Sequence, residues 1–184
     1  MRNFRQDKVK MKKITYIIAL IISLQGFAQE TPFTKMIDTT LRQTVPYIKV
    51  DELKAKYTDY VILDARELAE YQTSHLKGAQ FVGYTKFKIK KILQKLPKNK
   101  PVVVYCSIGY RSEKIAEKLQ KKGIQVYNLY GGIFDWKNKN NTVIDTTENP
   151  TENVHTYNEE WSKWLKNGIK IYKKEAKKSK ISRE

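Results

Sequence analysis

An α/β fold is predicted by the way in which short apolar runs alternate with stretches of helical spacing. The runs Val61–Leu63 and Val102–Tyr105 contain almost no polar groups, which is typical of strands buried on both faces of a parallel sheet. After the second run, Ile115, Ala116 and Leu119 recur at helical spacing with polar residues between them. This alternation favours a three-layer sandwich, in which a mostly parallel central sheet carries helices on both faces.

The predicted core elements follow one another from residue 47 to residue 136. In order, the pattern predicts a strand at 47–50, a short helix, a strand at 61–63, a short helix at 67–71, a strand at 81–82, an amphipathic helix over 87–96, a strand at 102–105, a helix that ends near Gly123, a strand at 126–129 and a glycine turn at 131–132. Active sites in such sheets lie at the carboxyl ends of the strands. Cys106 follows the strand at 102–105 directly, so we expect it at that edge.

The segments that flank this core have weaker patterns. Residues 29–46 mix polar and apolar residues with Thr and Pro, and we expect a lead-in without firm structure. Residues 137–153 are polar and are expected to form a long loop. Trp161, Trp164 and Tyr172 fall at helical spacing, which predicts a helix that packs back on the domain, because two Trp would otherwise be exposed. A helix lying on a membrane surface is the alternative.

Residues 1–28 have the features of a signal peptide. Six Lys and Arg precede the apolar stretch Ile14–Leu24, and Gly26-Phe27-Ala28 offers small residues at a cleavage site. The stretch is shorter than the ~20 residues that span a bilayer, although a retained anchor is an alternative, and Met11 is a second possible start. The sequence therefore predicts export to the periplasm of a Gram-negative bacterium, a domain at 29–172 and a disordered Lys-rich tail at 173–184.

The chain is strongly basic, with a formal net charge of +17. Residues 1–28 hold six basic residues and one acidic residue, which leaves +12 for the remainder. Such a charge raises the question of nucleic-acid binding, but the sequence carries no recognised nucleic-acid motif. We expect instead a surface that attracts anionic substrates, with weak contact of the basic tail with an anionic envelope surface. We expect a monomer with no specific nucleic-acid partner.

Cys106 is the single cysteine of the chain, so an internal disulfide is excluded. A thiol that faces a helix N-terminus meets free backbone N–H groups and the positive end of the helix dipole. Arg111 adds a positive charge, and Gly109 lets the loop amides turn inward. These features favour the reactive thiolate. The alternative is a buried structural cysteine, which is common among free cysteines.

Three stretches in this order resemble the rhodanese family of sulfurtransferases. The loop Cys106-Ser-Ile-Gly-Tyr-Arg111, followed by Ser112, is similar to the active-site loop of that family. The residues similar to its N-terminal signature are Leu63-Asp-Ala-Arg66, Glu70-Tyr71 and His75-Leu-Lys-Gly-Ala79, and those similar to its closing strand and turn are Val126-Tyr-Asn-Leu129, Gly131-Gly132 and Trp136. Together they cover about half of the chain.

The resemblance implies a rhodanese-like fold and a role for each loop residue. Cys106 would be the nucleophile that takes sulfur from a small anionic donor such as thiosulfate and passes it as a persulfide to a thiol or another nucleophilic acceptor. The residues expected to bind the substrate are Ser107, Ile108, Gly109, Tyr110, Arg111 and Ser112. In the family pattern Asp64 and Arg66 are mainly architectural, and His75 belongs to the structural signature rather than acting as a base. No cofactor is implied, and two separated histidines with one cysteine predict no metal site.

Two other readings of the cysteine loop stay open. Related cysteine-loop folds hydrolyse phosphate esters, but four residues lie between Cys106 and Arg111, whereas the pattern of those phosphatases has five. The domain could also act without catalysis, as a sulfur carrier or a protein-binding module. A redox role through a mixed disulfide at Cys106 is a further option.

Overall fold

The computed structural model describes residues 31–172. The predicted signal peptide at 1–28 and the predicted tail at 173–184 lie outside these residues, so both stay predictions. Within residues 31–172, no helix combines the length and the apolar character that crossing a membrane requires.

A five-stranded parallel sheet forms the centre of the domain. Its strands in chain order are β1 (Tyr47–Ile48), β2 (Val61–Asp64), β3 (Gln80–Phe81), β4 (Val102–Tyr105) and β5 (Val126–Leu129). Their order across the sheet is β1-β5-β4-β2-β3, and every neighbouring pair is parallel. β4 is therefore the central strand, and its carboxyl end leads straight into Cys106.

Seven α-helices surround or flank the sheet in the described part of the chain. They are α1 (Pro32–Thr40), α2 (Val50–Ala55), α3 (Leu68–Thr73), α4 (Ile89–Leu93), α5 (Tyr110–Gln120), α6 (Gly132–Asn138) and α7 (Glu159–Ser162), with a 3₁₀ turn at Tyr57–Asp59. α4 spans only the middle of the helix predicted over 87–96. α2, α3 and α5 lie where the sequence pattern places them, whereas α6 follows the predicted glycine turn, where no helix was predicted.

Side chains that alternate along the strands fill two separate cores, one on each face of the sheet. One core takes Ile62, Val103 and Leu129 and packs against α2 and α6. The other core takes Leu63, Val104 and Val126 and packs against α4 and α5. This is the period-two burial expected of strands covered on both sides. The predicted three-layer α/β class with a parallel sheet is confirmed.

The prediction of an unstructured lead-in at 29–46 is wrong, because α1 begins at Pro32. Proline is well suited to the first position of a helix, and one face of α1 is apolar. Ile37 is fully buried, Leu41 is nearly so, and Phe33 and Met36 pack against the core. Burial of this face stabilises a helix whose composition alone gave a weak signal.

The region after residue 137 also differs from the prediction. In place of a long loop and a helix it forms β6 (Val143–Ile144) with β7 (Pro150–Thr151), and β8 (Asn153–His155) with β9 (Ile169–Ile171). The predicted helix ends at Ser162, because Asn138 Oδ1 accepts the N–H of Lys166 at 2.6 Å and Gly168 adopts a φ of +104°. The expected packing of Trp161 and Trp164 against the core is observed.

Candidate active site

The loop from Cys106 to Gly109 joins the central strand β4 to the N-terminus of α5 and keeps the thiol almost fully buried. Cys106 is 1% exposed. Gly109 has a φ of +115°, which side-chain-bearing residues rarely adopt. The N–H of Gly109 points at Cys106 Sγ, 3.2 Å away. A backbone donor therefore already faces the sulfur atom, at the positive end of an eleven-residue helix.

Buried polar side chains hold this glycine in place from behind. The carbonyl of Gly109 accepts hydrogen bonds from Asn128 Nδ2 at 3.0 Å and Ser112 Oγ at 3.1 Å. Ser112 Oγ and Asn128 Oδ1 are also bonded, at 2.7 Å, and both residues are fully buried. The structure thus places Ser112 behind the loop, where it orients the backbone; it does not line the pocket in front of the thiol.

The N-terminus of α6 supports the same loop from a second side. Ile133 N donates to the carbonyl of Cys106 at 2.9 Å, and Phe134 N donates to that of Ser107 at 3.1 Å. Gly132 lies directly against these carbonyls, and a Cβ there would overlap the Cys106 oxygen and come within 2.7 Å of the Ser107 oxygen. The glycine turn therefore turns the loop carbonyls away from the pocket.

Arg111 is paired with Glu70 of α3. Its two terminal nitrogens contact the two carboxylate oxygens at 2.6 and 2.7 Å, and Ser107 Oγ joins the pair at 2.9 Å from Arg111. Glu70 is 2% exposed. Burial acts to raise the pKa of Glu70, but Arg111, together with Arg66 and the backbone N–H of Glu67, outweighs burial, and the pKa lies below its ordinary value. Arg111 therefore presents a charge that a carboxylate already balances.

Asp64 and Arg66 form a fully buried ion pair beneath the site. Arg66 Nη2 lies 2.6 Å from Asp64 Oδ2 and also donates to the carbonyl of Ser74. The hydroxyl of Tyr105, the last residue of β4, donates to Asp64 at 2.6 Å. Although desolvation lowers it, the pKa of Arg66 lies above its ordinary value because of Asp64. The network joins β2 to the strand that carries Cys106.

His75 lies in the same structural layer. Its ring stacks on that of Tyr71, with the ring centroids 4.0 Å apart, and its Nδ1 lies 3.0 Å from the Tyr71 carbonyl. Its backbone exchanges two hydrogen bonds with Ile144 of β6. His75 thus packs against α3 and β6 and does not line the pocket.

A pocket of about 510 Å³ opens above Cys106. Five of the predicted site residues line it: Cys106, Ser107, Ile108, Tyr110 and Arg111. Six further residues complete its walls: Thr40, Glu67, Tyr84, Thr85, Tyr157 and Trp161. Ile108 is 5% exposed and forms part of the floor of the pocket.

Sequence reasoning missed the roles of several of these residues. Glu70 stands in the signature stretch, and its spacing from Glu67 indicates the capping box that the structure contains, but no local pattern predicts its contact with Arg111. Asn128 is a polar residue inside an otherwise apolar strand, which is a signal of a buried hydrogen-bonding role. Nothing in the sequence pointed to Tyr157.

These features place the chain among the α/β proteins that carry a buried cysteine in a glycine-bearing loop at the carboxyl edge of a parallel sheet. The chain belongs to the rhodanese family. A model of the rhodanese-like domain matches residues 49–139. The thiosulfate sulfurtransferase GlpE of Coxiella burnetii is 34% identical over 96 residues, which cover 50% of this chain and 88% of that protein. The uncharacterized protein YqhL of Bacillus subtilis is 33% identical over 90 residues, covering 48% and 70%.

A solved structure shows the same fold. The crystal structure of a rhodanese-related protein from Thermoplasma volcanium matches with a TM-score of 0.50 at 23% identity, covering 54% of this chain and 97% of that one. The family model leaves residues 31–48 and 140–172 outside its range, and these residues supply Thr40, Tyr157 and Trp161 to the pocket.

Proposed function

We propose that this protein is a sulfurtransferase that carries sulfane sulfur as a persulfide on Cys106. The observation that carries the proposal is the buried Cys106 Sγ with the Gly109 N–H directed at it from 3.2 Å, at the N-terminus of α5. Such a donor stabilises negative charge on sulfur in both the thiolate and the persulfide. A relative that is 34% identical is named a thiosulfate sulfurtransferase, which supports the same reaction class.

The reaction takes place in two steps. The thiolate of Cys106 attacks the outer sulfur of a donor such as thiosulfate, a new S–S bond forms on Cys106, and sulfite leaves with the electron pair of the broken S–S bond. An acceptor nucleophile, such as cyanide or a thiolate, then attacks the outer persulfide sulfur. The acceptor keeps that sulfur and Cys106 returns to the thiolate. This is a double displacement with a covalent intermediate.

The low exposure of Cys106 supports this chemistry, because a persulfide is protected when water and oxidants have limited access. Ser107 and Arg111 line the route to the sulfur. The charge of Arg111 is balanced by Glu70. We therefore propose that Arg111 mainly positions Ser107 and contributes only in part to anion binding. Residues 1–28 support the further proposal that transfer takes place outside the cytoplasm.

Steady-state formation of thiocyanate from thiosulfate and cyanide tests the proposal. The wild-type protein is expected to turn over, and Cys106→Ser is expected to lose transfer while keeping the same circular-dichroism spectrum and melting temperature. Transfer by Cys106→Ser at the wild-type rate would refute the role of this cysteine. Hydrolysis of a phosphate ester in place of sulfur transfer would move the protein to the phosphatase alternative.

A further inference from the structure

Tyr157 and Trp161 both line the pocket above Cys106 and are here called the aromatic wall. Both residues lie beyond residue 139, where the family match ends. Two more aromatic residues, Tyr84 and Tyr110, contribute to the same pocket. A large part of the surface that a substrate meets before it reaches the thiol is therefore aromatic.

The aromatic wall is a built feature and not a loose loop. Thr156, at its base, is fully buried and donates its N–H to the carbonyl of Ile171 in β9 at 2.8 Å. Tyr157 N donates to His155 Nδ1 at 3.1 Å while Tyr157 holds a φ of +67°. Asn158 Oδ1 accepts the N–H of Trp161 at 3.0 Å and caps α7. The backbone that carries both rings is thereby fixed before any substrate enters, and the Tyr157 ring itself is 56% exposed.

The aromatic wall also covers the cation of the site. The ring of Tyr157 lies over the guanidinium of Arg111, with 5.5 Å from Arg111 Cζ to the ring centroid. Glu70 holds the same guanidinium from its edge, and a second carboxylate, Glu67, lines the pocket. These three side chains together carry more negative than positive charge, so a second negative charge on a bound donor gains little from them.

The size of the pocket also favours an organic donor over a small inorganic anion. Its volume of about 510 Å³ lies in the range of 300–1,000 Å³ that is common for organic ligands of roughly drug size. A small inorganic oxoanion fills only a fraction of that space and leaves the aromatic wall without a partner. A flat apolar group attached to the donor sulfur would occupy it and stack on Tyr157 and Trp161.

Resting on the sulfurtransferase function proposed above, we propose that Tyr157 and Trp161 are specificity-determining residues. They select a sulfur donor that carries a flat apolar organic body and a single negative charge over a small inorganic dianion. An aryl thiosulfonate has this chemistry. The thiolate of Cys106 attacks its outer sulfur, the bond between that sulfur and the sulfonyl sulfur breaks, and an aryl sulfinate leaves with the electron pair. The total charge is two negative units before and after the step.

The test compares benzenethiosulfonate with methanethiosulfonate, which carry the same reacting sulfur and the same charge and differ in the ring. The ratio of their kcat/KM values is measured with cyanide as acceptor. We expect the wild type to favour benzenethiosulfonate about tenfold or more, since filling an apolar pocket gives ratios of about 10–200. In Trp161→Leu and in Tyr157→Asn the ratio falls at least about threefold, through a higher KM for benzenethiosulfonate.

Asn is chosen at position 157 because it tolerates the positive φ found there, so this variant keeps the test valid if Trp161→Leu fails to fold. Trp164→Leu is the matched control, since Trp164 packs on Phe33, with ring centroids 6.1 Å apart, and does not line the pocket. This variant is expected to keep the wild-type ratio. A wild-type ratio near one, or an unchanged ratio in Tyr157→Asn, would overturn the proposal. If neither donor places sulfur on Cys106 in protein with a free thiol, the proposed function itself fails.

Discussion

Glu70 decides the charge balance of the cysteine loop. It reaches from α3 to Arg111 with both carboxylate oxygens, accepts a hydrogen bond from Ser107 Oγ at 3.1 Å, and closes the capping box with Glu67. One buried side chain thus fixes a charge, a hydroxyl and a helix terminus at the same time. Removing it leaves Arg111 largely buried without its carboxylate.

We expect Glu70→Ala to lower the free energy of unfolding by about 3–5 kcal/mol, the usual cost of removing one partner from a buried ion pair. Asp51→Ala is the matched control, because it removes the partner of an exposed pair with Lys139, and such pairs contribute about 1 kcal/mol or less. Urea unfolding of both variants at neutral pH checks this. Equal small losses in the two variants would contradict the buried-pair account.

His155 makes the stability of the protein depend on pH. Its pKa lies below the ordinary value of 6.5, chiefly because partial burial disfavours the charged ring. The nearby cations Arg66 and Arg111 act in the same direction, and Glu70 opposes them. Because Tyr157 N donates to His155 Nδ1 at 3.1 Å, we expect a proton on that nitrogen to weaken the turn that holds the aromatic wall.

The sign of the pH effect follows from this lowered pKa. The unfolded chain takes up a proton at His155 more readily than the folded protein, so this contribution to stability is present above pH 6.5 and is lost as the pH falls below it. Melting temperatures of the wild type and His155→Asn, measured between about pH 7.5 and about pH 5.5, check the expectation. Asn offers an acceptor near the position of Nδ1. The wild type should lose more stability over this range than the variant, and parallel curves would contradict it.

At the scale of elements, two helix N-termini meet at the cysteine loop and contact different parts of it. The N-terminus of α5 faces Cys106 Sγ, whereas the N-terminus of α6 binds the carbonyls of Cys106 and Ser107 from behind. Gly132 makes the second contact possible, since only a hydrogen fits between α6 and these carbonyls. The loop amides can face the substrate because the loop carbonyls are held elsewhere.

We expect Gly132→Ala to displace the loop and to reduce sulfur transfer about 100-fold, the scale at which misplacement of a reacting group by about 1 Å is felt. Gly123→Ala is the control, because Gly123 also has a positive φ, +76°, but an added Cβ there meets no atom within 4 Å. It should cost about 1–2 kcal/mol of stability from backbone strain and keep the wild-type rate. Equal rates in the two variants would show that the α6 contact does not position the loop.

What could be predicted from the sequence depends on how local the cause is. The strand at 102–105, the glycine loop and the following helix are specified by neighbouring residues, and they were predicted with the position of Cys106. The pairing of Glu70 with Arg111 joins residues 41 positions apart, and no propensity encodes such a contact. The helix predicted through Tyr172 failed because Asn138, more than 25 positions upstream, accepts the N–H of Lys166.

At the scale of the whole molecule, the pocket is assembled from the family domain and from both of its flanking segments. The domain supplies the thiol, the loop and the floor, while α1 supplies Thr40 and the segment around β8 and α7 supplies the aromatic wall. We infer that the reaction chemistry belongs to residues 49–139, and that the choice of donor depends both on pocket residues inside this range and on Tyr157 and Trp161 outside it. We expect the excess of basic residues to draw anions toward the molecule at long range, while the charges that line the pocket act on the donor once it is bound.

The central claim is that Cys106 carries the transferred sulfur, and intact mass measures it most directly. The protein, with its thiol shown to be free, is treated with thiosulfate or benzenethiosulfonate, weighed, and weighed again after cyanide is added. We predict a gain of one sulfur atom that maps to Cys106, is removed by cyanide and is absent in Cys106→Ser. No gain in mass with either donor would contradict the account.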